Sequence, residues 1–498
     1  LGLFLFVYLK TASFTTPLSS QMPTKSQISQ EADLLFGKML SAEPHYKRKW
    51  ITYESSPGIK QLTSDQITKF FGDPKILLEL GLIYWTIRYE NAPPFKEVRL
   101  QINPFGKLIG YKILVRPETD PRTYSNLTFS KLKDWGLFTN WKTHPSSIEA
   151  HSLDFLPNWP FKGKGTLSLK VESQNQFITG VRVDYCAPTE WTENLSPKLF
   201  MGQLLSGIGF LSYSFASFAG LILIGVALSR HRITASSLWV SGILTGLIFV
   251  SNYAYMANNF PNYLSAYENG ISLFAYSCFL LIGMIPGSTM TALLFFSTYV
   301  SGWSIKSASA LPPPYFKLHP IALIWGICFL WLGIISLFYQ TGQSFFGITV
   351  LANIPTDIFN PYWPMINIAI LALLAGLIEE TVYRLMLTPL LDKVLKNYWV
   401  SALFTSGIWA LLHTQYAVFP VYFRVVELLP LGLIFSWIFY YYGWWPCVLT
   451  HFLIDLYLMG APLLPRLNVQ DWCTFWGIQV LLCLLLYRFH KKANKWLP

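Results

Sequence analysis

Six titratable residues interrupt otherwise apolar stretches in the last third of the chain. A charged group deep in an apolar helix costs about 2.5–3.5 kcal/mol on insertion scales, so a retained one is a functional candidate unless it is paired. The six residues form three sets, and we predict that each set lies on a separate helix. These candidate catalytic residues are Glu379, Glu380, Arg384, His413, His451 and Asp455.

Helical spacing predicts different roles for the two adjacent glutamates. Glu380 and Arg384 are four residues apart and share a helix face, whereas Glu379 points about 100° away at 3.6 residues per turn. Arg384 can therefore neutralise Glu380 and leave Glu379 without a cationic partner. A carboxylate of this kind suits a general base that takes a proton from water.

We expect two histidines to place imidazole nitrogen atoms beside this carboxylate. His413 shares a face with Trp409, and His451 shares a face of a later helix with Asp455. Two histidines and Glu379 on three helices can hold either a water molecule or a divalent metal such as zinc, and the residues leave this choice open. No HExxH sequence occurs in the chain, which excludes the zincin arrangement.

Each residue taken alone also has a structural explanation. An ion pair between Glu380 and Arg384 is more often structural than catalytic. A single histidine in a membrane often bonds a neighbouring helix, and Asp455 also suits a proton relay. The combination favours chemistry, because packing alone does not explain a spaced polar set on each of three apolar helices.

The composition indicates that these helices lie in a membrane domain. Of the 498 residues, 52% are hydrophobic and 13% charged, against about 25% charged in soluble domains. Residues 1–198 hold 24 of the 37 Lys and Arg and 18 of the 26 Asp and Glu, which leaves 13 and 8 for the following 300 residues. The net charge of +11 is divided between the two parts. Neither part is basic enough to indicate nucleic-acid binding, so we exclude nucleic acid as a partner.

Apolar segments after residue 198 are long enough to cross a bilayer. We predict about nine spans in a polytopic α-helical membrane domain, residues 198–498. Lys and Arg fall mainly on alternate connections and at the C-terminus, which predicts a cytoplasmic C-terminus. The predicted spans are 199–228, 236–257, 271–299, 320–339, 364–388, 399–417, 427–442, 446–462 and 472–488.

The N-terminal part has a different pattern. Residues 1–30 are predicted to be an apolar leader followed by a linker, and residues 31–197 a soluble α+β module outside the cytoplasm. This module contains a loose internal repeat, since residues 62–71 recur as 127–135 and 98–115 as 167–183. Each copy is predicted to be a short helix followed by a hairpin. We predict a duplicated module that presents substrates or binds a partner.

The three motifs together resemble the CPBP family of intramembrane proteases, which includes the type II CAAX prenyl endopeptidases and the Abi proteins. Glu379-Glu380-Thr-Val-Tyr-Arg384 matches the family motif EExxxR. Trp409-Ala-Leu-Leu-His413 matches FxxxH with Trp for Phe, and His451-Phe-Leu-Ile-Asp455 matches HxxxN or HxxxD. The resemblance covers residues 360–462.

This resemblance implies a glutamate-dependent endopeptidase that cleaves a peptide or membrane protein close to the lipid bilayer. Glu379 would activate water, His413 would hold it, and His451 with Asp455 would stabilise the oxyanion. Where the family has Asn at the last position, an amide donates, whereas an ionised Asp455 only accepts. The resemblance does not decide whether a metal takes part.

Two other functions compete with this interpretation. In a proton-coupled transporter the same residues would form a relay, although we find no second half of the kind that inverted repeats give. In a non-catalytic membrane scaffold or immunity factor the motifs would be vestigial. Loss of peptide cleavage in Glu379→Ala distinguishes the protease from both.

Overall fold

Two compact units are described in the computed structural model. By Cα packing one unit comprises residues 12–196 and 350–360, and the other comprises residues 1–11, 197–349 and 361–498. Of the predicted apolar leader, only Gly2 is among the described residues. Of the helix predicted at 127–135 in the second repeat, only Leu132 is described. The described residues are 2, 23–40, 46, 48–56, 59–62, 66–67, 75–90, 92–93, 95–116, 132, 137, 141–143, 152–157, 165–174, 177–229, 235–265, 273–306, 319–351, 356–416, 418–463 and 469–496.

The N-terminal unit is an α+β structure built on one antiparallel sheet. The sheet has eight strands in the order β1-β2-β3-β4-β8-β7-β6-β5. Its elements are α1 (Lys25–Leu40), β1 (Arg48–Ser55), α2 (Lys75–Glu79), β2 (Ile83–Glu90), β3 (Glu97–Ile102), β4 (Leu108–Leu114), β5 (Trp141–Thr143), β6 (Ser152–Pro157), β7 (Thr166–Gln174) and β8 (Phe177–Cys186).

The sheet consists of two four-stranded meanders joined through their last strands, β4 and β8. The hairpins β3–β4 and β7–β8 correspond to the repeat seen in the sequence. Each has a register shift beside a pair that contains glycine, after Gln101 opposite Gly110 and after Glu172 opposite Gly180. This symmetry supports the duplication, which stays a prediction.

The first helix begins inside the stretch predicted as a linker. Thr24 and Gln27 form a capping box, in which the Thr24 amide donates to Gln27 Oε1 at 2.8 Å and the Gln27 amide donates to Thr24 Oγ1 at 3.3 Å. Ile28, Ala32, Phe36 and Met39 of α1 are buried. The linker prediction at residues 25–30 was therefore wrong, because capping and burial outweigh the polar composition.

A short segment between the membrane helices belongs to the N-terminal unit. The Asn360 side chain donates to the Tyr53 carbonyl at 3.0 Å and accepts from the Tyr53 amide at 2.5 Å. The Phe359 ring packs edge-on against Tyr53. The sequence placed residues 350–360 in the membrane domain, because only the folded chain brings Asn360 to β1.

The elements after β8 are mostly helical. They are α3 (Thr189–Ser229), α4 (Ala235–Asn258), α5 (Phe260–Ser265), α6 (Leu273–Lys306), α7 (Pro320–Phe345), β9 (Thr349–Val350), α8 (Thr356–Phe359), α9 (Pro364–Glu380), a π-helix (Thr381–Leu387), α10 (Thr388–Leu395), α11 (Tyr398–Leu412), a 3₁₀ turn (His413–Gln415), β10 (Val418–Phe419), α12 (Tyr422–Tyr442), α13 (Trp444–Gly460) and α14 (Val469–Trp496). All of them except β9 and α8 lie wholly or mainly in the second unit.

Six helices of the described part are long and apolar enough to cross a membrane. The protein is therefore a polytopic helical membrane protein, and the count of nine spans stays a prediction. Helices α11 and α13 have 15 and 17 residues, or about 22 and 26 Å, against the roughly 30 Å of a hydrocarbon core. Helix α11 ends at Leu412, so the predicted span 399–417 was too long.

Candidate active site

Four helical segments carry the six predicted site residues. Glu379 and Glu380 end α9, Arg384 lies in the π-helix, His413 follows α11 directly, and His451 and Asp455 are on α13. A glycine lets α9 and α13 approach closely, because a Cβ on Gly376 would lie 2.8 Å from the Val448 carbonyl oxygen. This approach brings the two glutamates next to His451.

Glu379 lies between the two histidines. Its Oε2 atom is 3.9 Å from His413 Nε2 and 4.0 Å from His451 Nε2. The same oxygen accepts a hydrogen bond from Trp409 Nε1 at 2.5 Å. Two hydrogen bonds of about 2.8 Å that meet near a right angle span about 4 Å, so each separation matches one bridging water molecule.

Glu380 is held by three side chains. Its Oε1 atom lies 2.7 Å from His451 Nδ1 and accepts from Arg384 Nη1 at 3.2 Å, while Oε2 accepts from Cys447 Sγ at 2.9 Å. Arg384 therefore pairs with Glu380, as the spacing predicts. Glu380 also orients His451, which the sequence did not indicate.

The Arg384 guanidinium is enclosed by aromatic rings and backbone. It lies over the rings of Trp409 and Phe435, 4.7 and 5.3 Å from their centroids, and Arg384 Nη2 donates to the Gly432 carbonyl at 3.2 Å. Glycine is needed there, because a Cβ on Gly432 would lie 2.7 Å from Ser406 Cβ and 3.0 Å from Arg384 Nη2. These contacts replace water around a buried charge.

Exposure separates the residues that a substrate can reach from those that it cannot. The side chains of Glu379, His413 and Asp455 are 21%, 18% and 26% exposed, whereas those of Glu380 and Arg384 are 0% exposed. A reacting water or peptide can therefore touch Glu379 but not Glu380. The buried pair can act on the site only through the side chains that it contacts, such as His451.

His451 faces carboxylates on both sides of its ring. Its Nδ1 atom faces Glu380, and its Nε2 atom is 3.4 Å from Asp455 Oδ2. The ring also stacks on Phe435, with 4.8 Å between the centroids. Asp455 therefore lies at ion-pair distance from His451, and an ionised carboxylate has no hydrogen to donate to an oxyanion.

The geometry does not fit a zinc ion held by Glu379, His413 and His451. Bonds of about 2.0–2.2 Å in a tetrahedral site place ligand atoms about 3.3–3.6 Å apart, closer than the 3.9 and 4.0 Å from Glu379 Oε2 to the two imidazoles. Among the described residues, no group of three or more His, Cys, Asp or Glu side chains could hold a metal ion.

Three residues of the site had no assigned role in the sequence. Trp409 entered the prediction only as the aromatic residue of the second motif, yet its indole donates to Glu379. Cys447 donates to Glu380 and Phe435 stacks on His451. The Trp409 side chain lies one helical turn before His413, and that spacing was the only available signal.

A second buried ion pair lies near His413. Arg424 Nη1 donates to both Glu427 oxygens, at 2.8 and 2.7 Å, and Tyr339 donates to Glu427 at 2.5 Å. Arg424 also lies over the Tyr416 ring, 5.1 Å from its centroid, and Tyr416 stacks on His413. Glu427 is only 3% exposed, so its carboxylate depends on Arg424 and Tyr339 rather than on water.

We expect Arg424→Met to lower the free energy of unfolding by about 2 kcal/mol, because hydrogen bonds to charged groups are worth roughly 1.5–3 kcal/mol. Unfolding of the reconstituted protein measures this loss. Arg424→Lys is the matched control and should lose less, since it keeps the charge beside Glu427. Equal stability of the Met variant and the parent would contradict this assignment.

The comparisons with known proteins agree with these motifs. Residues 361–457 match the family model for type II CAAX prenyl endopeptidase Rce1-like proteins. This segment belongs to the CPBP family. The CPBP segment contains all six candidate residues, and its family consists of proteases. No curated protein and no solved structure matches the chain.

Proposed function

We propose that the protein is an intramembrane endopeptidase of the CAAX-protease type, in which Glu379 activates a water that attacks a peptide bond near the membrane. The observation that carries this proposal is the position of Glu379 Oε2, 3.9 and 4.0 Å from the two imidazoles and partly exposed. A base needs this access, and a purely structural carboxylate does not.

The first step forms the tetrahedral intermediate. A water bridging Glu379 Oε2 and His413 Nε2 gives a proton to the carboxylate while its oxygen bonds the carbonyl carbon. The carbonyl π electrons move to the oxygen, which becomes an oxyanion. His451 Nε2 lies 4.0 Å from Glu379 Oε2 and, when protonated, donates to this oxyanion. Removing one such donor typically costs about 10²–10³ in rate.

The second step breaks the peptide bond. Glu379 returns the proton to the amide nitrogen, the carbon–nitrogen bond breaks, and the carbonyl reforms. The products are one carboxylic acid and one amine, and Glu379 is again ionised. Trp409 supports both steps, because its indole fixes the carboxylate that accepts and returns the proton.

Cleavage by the reconstituted full-length protein tests this proposal. The probe is a quenched fluorescent peptide with a farnesylated CaaX terminus, compared with its unprenylated twin. We expect the parent to cleave at least the first peptide and the Glu379→Gln variant to cleave neither. Proton movement into vesicles, carried by the parent without cleavage of either peptide, would favour the transporter instead.

The direction of the chain in the membrane is a separate part of the proposal. We propose that the N-terminal module lies outside the cytoplasm, where it presents substrates or binds a partner, and that the C-terminus is cytoplasmic. Cys186 ends β8 and is exposed. A membrane-impermeant maleimide should therefore label Cys186 in intact cells. Cys186→Ser is the control for this site, and labelling only after lysis would reverse the predicted orientation.

A further inference from the structure

A helix outside the CPBP segment holds the turn that carries His413. This turn, residues 411–414, begins at the end of α11, where the last carbonyl groups of a helix have no partner within it. The Ser206 hydroxyl on α3 donates to the Leu412 carbonyl oxygen at 2.8 Å, and the Thr414 hydroxyl donates to the Gly202 carbonyl oxygen at 2.9 Å. The residues on both sides of His413 are therefore bonded to α3.

The backbone of the His413 turn is in direct contact with α3. A Cβ on Gly202 would lie 2.5 Å from the Thr414 carbonyl oxygen, and one on Gly209 would lie 2.6 Å from the Leu412 amide nitrogen. The spacing of residues 202, 206 and 209 places them on one face of the helix. Ser206 and Thr414 are only 8% and 1% exposed, so water does not compete for their hydrogen bonds.

The His413 ring is fixed to the same turn. Its Nδ1 atom lies 3.0 Å from the Trp409 carbonyl oxygen, which can only accept, so Nδ1 carries the hydrogen. Its Nε2 atom, on the far side of the ring, is 3.9 Å from Glu379 Oε2. A shift of the turn therefore moves the ring and changes the gap that a bridging water must span.

We propose that Ser206 and Gly202 are positioning residues, which hold the His413 turn where Nε2 can share a water with Glu379. The proposal rests on the proposed function. Neither residue touches the water or the substrate, and both act through His413. The CPBP segment, residues 361–457, thus depends on a helix outside it for the position of one site residue.

The first test is Gly202→Ala in the reconstituted full-length protein with the farnesylated quenched peptide. The added Cβ cannot stay 2.5 Å from a backbone oxygen, so the turn must move away from α3. A misplacement of 1 Å can cost about 10²-fold in rate, and we expect kcat to fall about 10–10²-fold with KM nearly unchanged. Gly207→Ala is the matched control on the same helix. It should keep the parent's kcat, because a Cβ there meets no atom within 4 Å.

The second test removes only a hydrogen bond and separates positioning from general damage. Ser206→Ala should lower kcat about 2–10-fold, the worth of one hydrogen bond. Added to His413→Ala, it should leave kcat unchanged, because its effect passes through the imidazole. A merely structural role would lower kcat by the same factor in both backgrounds.

The Ser206→Ala comparison decides alone if Gly202→Ala does not fold. The parent's kcat in Ser206→Ala, or equal losses with and without His413, would overturn the proposal. A folded Gly202→Ala variant that cleaves at the parent's rate would also overturn it. A parent that cleaves neither peptide would instead overturn the proposed function, and this role with it.

Discussion

Glu379→Gln is expected to lower kcat for peptide cleavage by about 10²–10⁴, the usual contribution of a positioned general base. The neutral amide cannot take a proton from the water that bridges to His413. Its oxygen can still accept the Trp409 indole hydrogen bond, so the local packing should persist. The melting temperature and the amount of folded protein should therefore match those of the parent.

The control for this variant removes a carboxylate elsewhere in the membrane domain. Asp392 lies on α10 and is not one of the six site residues, so Asp392→Asn should keep full activity. Measurement of kcat, KM and melting temperature for all three proteins separates catalysis from folding. If Glu379→Gln cleaves at the parent's rate, or unfolds at a much lower temperature, Glu379 is not the base.

Arg384→Met is expected to produce the largest loss of stability, about 3–5 kcal/mol, because it leaves the Glu380 carboxylate buried without its cation. Both side chains are 0% exposed, so water cannot replace the lost partner. The free energy of unfolding of the reconstituted protein measures this effect. Loss of the parent's fold in this variant would also remove activity, so stability is the quantity to compare.

The partner variant shows whether the effect comes from the charge. Glu380→Gln with Arg384→Met removes both charges, and we expect it to be more stable than Arg384→Met alone. Glu380→Gln alone should lower both stability and kcat, because Glu380 also holds His451 Nδ1 at 2.7 Å. Equal stabilities of Arg384→Met and the parent would mean that the pair is not structural.

Much of this site follows from spacing along single helices. Glu380 and Arg384 are one helical turn apart, and they do form an ion pair. His451 and Asp455 have the same spacing and lie 3.4 Å apart. The meeting of these helices was inferred only from the isolation of their polar residues, since spacing within one helix carries no information about its neighbours.

Other features depend on contacts between elements and were not predictable in this way. The π-helix after Glu380 and the end of α11 at Leu412 break the regular periodicity that the sequence analysis assumed. The bond between Cys447 and Glu380 joins residues 67 positions apart. In the N-terminal unit the repeat predicted two hairpins, but the pairing of β4 with β8 required the folded sheet.

The central claim is that Glu379 activates a water molecule and does not itself attack the peptide. A single turnover of the farnesylated peptide in ¹⁸O-labelled water, followed by mass spectrometry of both the product and the protein, tests it directly. We predict one ¹⁸O atom in the new carboxylate of the product and none in Glu379. Label in the Glu379 side chain, or cleavage without label in the product, would contradict it.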